Sequence, residues 1–154
     1  VARRMDTDAT TGDHCTMALE LSPDLQAKAS DEPVVWLTTV SPSDQPMPRP
    51  VWFVWDGEAF VVYTYPGAAK VAHIAANPKA TLHFDIDHSS DDVAVLICRA
   101  ERVADPVPPS RFPGYLDKYE RSLPAINYTV ADLDAAMTIA LRVVPHRQWS
   151  PEAA

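Results

Sequence analysis

An all-β to α+β architecture, a small barrel of about six mostly antiparallel strands with a few short helices, is the fold this sequence predicts. Three observations lead to it. Runs rich in β-branched and aromatic residues recur at 34–40, 46–55, 60–65, 79–87, 93–103 and 139–144. Between the second and third runs stands the pair Asp56-Gly57, the strongest hairpin signal in the chain, which makes 51–55 and 60–65 antiparallel neighbours. The helical stretches are too few to serve as crossovers for a parallel sheet.

Of the 154 residues, 47% are apolar and 22% charged, the composition of one ordinary globular domain. We place that domain at 22–150. No apolar run approaches the roughly 20 residues that span a bilayer, so no membrane segment is expected. Residues 1–21 begin with basic residues but have no apolar stretch after them, which excludes a secretion signal and reads as a disordered leader. A net charge of -8 argues against a nucleic-acid partner, since phosphate neutralisation needs a basic face. Cys15 and Cys98 have neither the number nor the spacing of a disulfide frame or zinc site, and a reducing cytoplasm is the simplest home.

Taken in order, Ser22-Pro23 opens a helix with serine as N-cap and proline in the first turn, and Pro33 ends it. The run 34–40 is apolar on both faces, as a buried strand requires, and 41–45 is a polar turn. The second strand carries prolines at 46, 48 and 50. Residues two apart point their nitrogens to the same edge, so that edge loses its donors until Trp52. Blunting against aggregation is one reading; a planar ligand laid along the edge is the other.

After the hairpin, Pro66-Gly67 leads into a helix over 68–76 with Lys70 in its first turn. A cation there opposes the helix dipole by roughly 0.3–1 kcal/mol unless an anion sits between the ammonium and the free N–H groups. A lysine reaching into solvent is the competing explanation. His73, on the same helix, reads as a surface or partly packed residue.

The runs 79–87 and 93–103 form a second strand pair. His83, Asp85 and Asp87 alternate onto one face, with His88 and Asp91 near, a conceivable divalent-metal set but equally the wet face of an antiparallel strand; we assign no metal. A stiff proline-rich connection at 106–113 precedes a helical piece that covers one end of the barrel. Tyr115, Tyr119 and Tyr128 read as packing residues with wet hydroxyls rather than pocket walls. A last short helix precedes the closing strand, and Arg147 and Trp149 come together at its end.

No G-x-S-x-G, H-E-x-x-H or C-x-x-C motif is present, and none of the four glycines stands at phosphate-cradle spacing. Self-contained nucleophilic or acid–base catalysis therefore has no visible apparatus, and an enzyme of this sequence would borrow a cofactor for electron transfer.

The order VVWLTTV, RPVWFVWDGEAFVVYT, PGAAKVAHIAANPKATLHFD resembles the pyridoxamine 5'-phosphate oxidase-like split barrels, and within them the actinobacterial branch associated with the deazaflavin coenzyme F420. The resemblance implies a split barrel that assembles as a homodimer with two cofactor clefts at the subunit interface. It implies that Pro50, Val51, Trp52 and Phe53 border the ring. Tyr63, Thr64 and Lys70 would then hold the phosphate end, and Asn77, Pro78 and Lys79 would fix the turn behind it. The implied activity is hydride transfer between deazaflavin and a small unsaturated or quinone-like acceptor; an FMN-dependent oxidase or flavin reductase and a non-catalytic flavin or haem carrier are the alternatives. Two departures stand out. Ala72, Ala75 and Ala76 follow the phosphate lysine where relatives often carry arginines, and Cys98-Arg99 occupies the fifth-strand position where many have Gly-Thr.

Overall fold

In a computed structural model, which describes residues 19–86 and 93–149, the chain forms a curled antiparallel sheet of seven strands with four short α-helices. Helix α1, Pro23–Asp31, starts as its sequence dictates: Ser22 Oγ accepts the Leu25 N–H at 3.3 Å and proline fills the first turn. Its Leu25 and Ala29 enter the core. Packing begins ahead of the helix, because the Leu19 N–H donates to Pro145 O at 3.3 Å and Leu21 is buried. Three residues of the expected leader thus belong to the domain, and the others lie outside the described residues.

Strands β1 (Val35–Val40) and β2 (Pro46–Val51) form a hairpin in register from Val35 opposite Val51 to Val40 opposite Pro46. The Ser41 N–H donates to Gln45 O at 2.9 Å. Hydrogen-bonded and non-bonded pairs alternate along an antiparallel ladder, so the odd-numbered residues carry the bonds and the three proline nitrogens face the free edge. Among the described residues no strand pairs there, for β2 ends the sheet.

The second predicted strand is two strands. It breaks at Trp52 and Phe53, and β3 (Val54–Trp55) lies at the opposite end of the strand order, β2-β1-β5-β6-β7-β4-β3. This two-residue crossover curls the sheet into a barrel. Strand β4 (Phe60–Thr64) pairs along its whole length with β7 (Ile139–Trp149), but only Phe60 and Val61 pair with β3. Past Val61, the edge of β4 that faces away from β7 has no ladder partner among the described residues. The split in the barrel runs between that edge and the proline edge of β2.

The β3–β4 turn behaves as expected from Asp56-Gly57. Gly57 takes φ 97, a conformation that strains any side chain, and Asp56 Oδ1 accepts the N–H groups of Glu58 and Ala59 at 2.9 and 2.8 Å. Arg142 on β7 ties this turn down through Asp56 Oδ2 at 2.6 Å and Glu58 Oε2 at 2.9 Å. Partial burial raises the Asp56 pKa, but the Ala59 and Glu58 N–H groups and then Arg142 outweigh it and hold it below 3.8. A carboxyl depressed by folding stabilises above its unfolded value and loses that contribution as pH falls through the folded one. Arg142→Ala is therefore expected to cost about 0.5–1 kcal/mol at pH 7. In denaturant titrations that difference should shrink steadily below pH 3.8.

Helix α2 (Ala69–Ala76) follows β4 and leads into β5 (Lys79–His83), which lies between β1 and β6 (Val95–Arg102). The β6–β7 ladder slips between Ile97 and Cys98: Ile97 faces Arg147 while Cys98 faces Pro145, and His146 is the extra residue. Pro145, which has no N–H to give, is accommodated in a long strand by this bulge. Closing strand β7 runs five residues beyond the predicted end at 144.

Two apolar layers result. Alternate residues of the strands, among them Val35, Leu37, Leu82, Leu96 and Leu141, fill the barrel interior with Phe53, Phe60 and Phe84. On the outside of β3, β4 and β7, helices α3 (Tyr115–Tyr119) and α4 (Val130–Ala136), with the 3-10 segment Glu120–Ile126 between them, enclose a second layer of Val61, Tyr63, Tyr115, Tyr119, Leu123 and Leu133. Thr129 and Asp132 cap α4 reciprocally. No helix among the described residues is long and apolar enough to cross a membrane.

Candidate functional site

The split and the start of α2 meet. Lys70 lies in the first turn of α2, whose N-cap, Ala68, offers no side-chain oxygen and whose first turn has no acidic residue. Burial of its ammonium depresses the pKa below 10.5, and the charge of Arg49 depresses it further. Arg49 is the residue that the sequence reading missed. Val51 enters the core, and alternation along β2 turns Arg49 to the same side of the sheet. Arg49 Nη1 donates to Pro48 O at 2.8 Å; among the described residues no carboxylate forms an ion pair with Arg49 or Lys70. The Arg49 charge thus acts on the partly desolvated Lys70 ammonium, and among the described residues no carboxylate is paired with either.

Pro50 is exposed on the free edge, and Trp52 is half-buried with its indole stacked on the Tyr119 ring, centroids 4.5 Å apart and planes at 6°. Its backbone N–H, the first donor beyond the prolines, has no acceptor among the described residues. Val51 and Phe53 lie along the same segment, but their side chains belong to the barrel core, Phe53 at 0% exposure against Phe60 and Phe84. Thr64 ends β4 beside the split and is buried. Tyr63 turns to the other layer: its hydroxyl donates to Val107 O at 2.7 Å and its ring packs edge-on against Phe112 and Tyr115. Burial, then Asp134, pushes its pKa up to about 12, so it is a neutral packing residue.

Asn77 and Lys79 shape the turn after α2. Asn77 Oδ1 accepts the Lys79 N–H at 3.1 Å, and Ala100 N–H donates to Pro78 O at 2.8 Å. The Lys79 side chain points to the outer face of the sheet, opposite Arg99. His73 is more enclosed than its sequence context indicates, 9% exposed with Nδ1 at 2.9 Å from Thr39 Oγ1. His83 stacks on Trp36, whose Nε1 donates to Asp85 Oδ1 at 2.8 Å. Asp87, His88 and Asp91 lie outside the described residues.

The crossover that carries the site is clamped from α3. Tyr119 is buried, not wet: its hydroxyl accepts the Phe53 N–H at 2.8 Å and has Pro33 O at 2.8 Å and Phe53 O at 2.9 Å as acceptors. Lys118 Nζ donates to Phe53 O at 3.1 Å and stands 3.6 Å from the centroid of the Phe53 ring. Burial pushes its pKa down to about 8, with Asp31 and Glu32 pulling the other way.

Fold and site together define a split β-barrel with an open, donor-poor edge beside a cationic helix start. The sequence pattern of pyridoxamine 5'-phosphate oxidase matches residues 21–142, and the chain belongs to that family. No curated protein matches it. Among solved structures of similar fold is the conserved hypothetical protein Rv2991 from Mycobacterium tuberculosis, 17% identical, TM-score 0.64, over 86% of each chain. Another is an F420 reductase, 20% identical, TM-score 0.62, over 80% of this chain and 94% of that one. A third is HutZ, the heme storage protein from Vibrio cholerae, 14% identical, TM-score 0.58, over 86% of this chain and 95% of that one. At these identities the likeness is one of fold.

Proposed function

We propose that the protein is an oxidoreductase that holds a deazaflavin coenzyme, F420, along the proline edge of β2, with its phosphate between Lys70 and Arg49. The observation that carries this reading is the pair of uncompensated cations at the start of α2, beside an edge that cannot take another strand. Like charges brought together at a partly desolvated place are unfavourable unless an anion joins them. The residues present fit such a group: Lys70 and Arg49 for the anionic arm, the Trp52 N–H for a ring acceptor, and Pro50 as a flat apolar border. When bound, the coenzyme would supply the hydride for a small unsaturated or quinone-like acceptor. The chain's own part is to bind, orient and exclude water, since among the described residues no side chain at the split is placed as a general acid.

The fold of the F420 reductase supports this reading. One chain offers one wall: Pro46, Pro48, Arg49 and Pro50 are all exposed along the edge, and we propose that a second copy supplies the opposing cover in a homodimer. Cytoplasmic residence is the accompanying proposal.

Titration of the purified protein with F420 tests the reading through the coenzyme's fluorescence. A saturable change that weakens in Lys70→Ala is the expected result, and identical flat titrations of wild type and variant end the proposal. A yellow protein that retains FMN through desalting would assign the flavin alternative. A Soret band lost on His73→Ala or His83→Ala would assign haem instead.

A further inference from the structure

At the end of the strand order opposite to β2, helix α1, strand β3 and helix α3 leave a hollow of about 310 Å³ between them. Ala29, Val54 and Trp55 make its wall largely apolar, and α3 brings Lys118 to it. The half-buried Lys118 ammonium is held in place: Nζ donates to Phe53 O at 3.1 Å and stands 3.6 Å from the centroid of the Phe53 ring. Four titratable groups face it. Asp31 and Glu32 act from the end of α1, beyond ion-pair distance, while on α3 itself Asp117 lines the same hollow and the Tyr119 ring lies 5.4 Å from Nζ. Burial outweighs the carboxylates and brings the Lys118 pKa down to about 8. About a tenth of this amine is then uncharged at pH 7, far more than of an ordinary lysine.

We infer that Lys118 is a nucleophilic lysine that captures small apolar aldehydes from this hollow as a Schiff base. Desolvation in an apolar pocket is one of the ways in which a lysine is activated for attack on a carbonyl. The uncharged amine adds to the carbonyl carbon and a C–N bond forms; the carbonyl oxygen then leaves as water, taking one proton from the amine and one from solvent. The product is an iminium. It keeps one N–H for Phe53 O and a positive charge over the Phe53 ring, where Asp31 and Glu32 favour it. The volume stands at the lower end of small-molecule sites, roughly 300–1,000 Å³, and suits a chain of a few carbons. Asp31, Glu32 and Asp117 together disfavour an anionic aldehyde. No residue of the proline edge lines the hollow, so this site does not depend on the cofactor reading.

Pentanal with cyanoborohydride is the probe, because hydride from the reductant adds to the imine carbon and fixes the adduct as a secondary amine that peptide mass mapping can locate. The chain has four lysines, Lys28, Lys70, Lys79 and Lys118. At pH 7 Lys118 is expected to be labelled at least about tenfold faster than Lys28 or Lys79, and at their rate once urea unfolds the chain. With glyoxylate the preference for Lys118 over Lys79 should fall at least about threefold, since its carboxylate meets like charges at the hollow. Ser30 is exposed at the rim, so Ser30→Phe should fill the hollow, melt like wild type and slow the labelling of Lys118 several-fold while leaving Lys70 unchanged. Labelling of Lys118 no faster than of Lys79 overturns the inference. So does a preference that survives unfolding, that glyoxylate shows as strongly as pentanal, or that Ser30→Phe leaves intact.

Discussion

Replacing Lys70 and Arg49 together by alanine is expected to weaken coenzyme binding by somewhat less than about two orders of magnitude, and each single replacement by about tenfold. A hydrogen bond to a charged group contributes about 1.5–3 kcal/mol, and 1.4 kcal/mol is tenfold in affinity. The double loss should fall short of the product of the singles. Each cation raises the energy of the other while the site is empty, as the Arg49 contribution to the depressed Lys70 pKa indicates, so removing one relieves the other. Fluorescence titration of the four proteins at two salt concentrations reads this directly. Wild type should lose affinity with salt and the double variant should lose little. Four proteins with one common affinity would remove the phosphate from this end of the split.

The second large effect is expected at Tyr119. Phenylalanine there leaves the Phe53 N–H without its acceptor in a buried place, at a cost of about 1–3 kcal/mol. Alanine also removes the ring on which Trp52 stacks and opens a cavity, at about 3–5 kcal/mol. Urea denaturation of the three proteins checks both values. The functional consequence separates Tyr119 from an ordinary core residue. The hydroxyl pins the crossover that hands β2 on to β3, so Tyr119→Phe should weaken coenzyme binding although Tyr119 lies behind the ring's expected border. A conservative change in the barrel interior, such as Leu141→Val, should destabilise without that loss. Equal effects of the two on binding would deny Tyr119 its positioning role.

Much of the local structure was legible. Ser22-Pro23 started α1, Asp56-Gly57 made the hairpin turn, and the prolines at 46, 48 and 50 gave β2 a free edge. The helix at 68–76 formed within one residue of its expected start. The break inside the second strand was not legible, because RPVWFVW alternates without interruption and nothing local forbids one strand. The candidate site was legible in Lys70 and in the edge, but not in Arg49, whose meaning depends on which helix arrives beside it. Tyr63 was misleading for the opposite reason: its neighbour Thr64 borders the split, whereas a strand sends adjacent side chains to opposite faces, and the Tyr63 hydroxyl ends on Val107 O.

Helix and turn starts, the runs that extend as strands and the donor-free edge can all be read from the chain. These are contests between neighbouring residues, settled by dihedral preference, capping and alternation. Only the folded chain shows that β2 and β3 part to opposite ends of one sheet, and that the charge of Arg49 acts on Lys70. It also brought Tyr119, 66 residues downstream, to close the backbone of Phe53. Contacts of that span depend on how the whole sheet curls to bury its inner face, a condition that no short stretch of chain encodes.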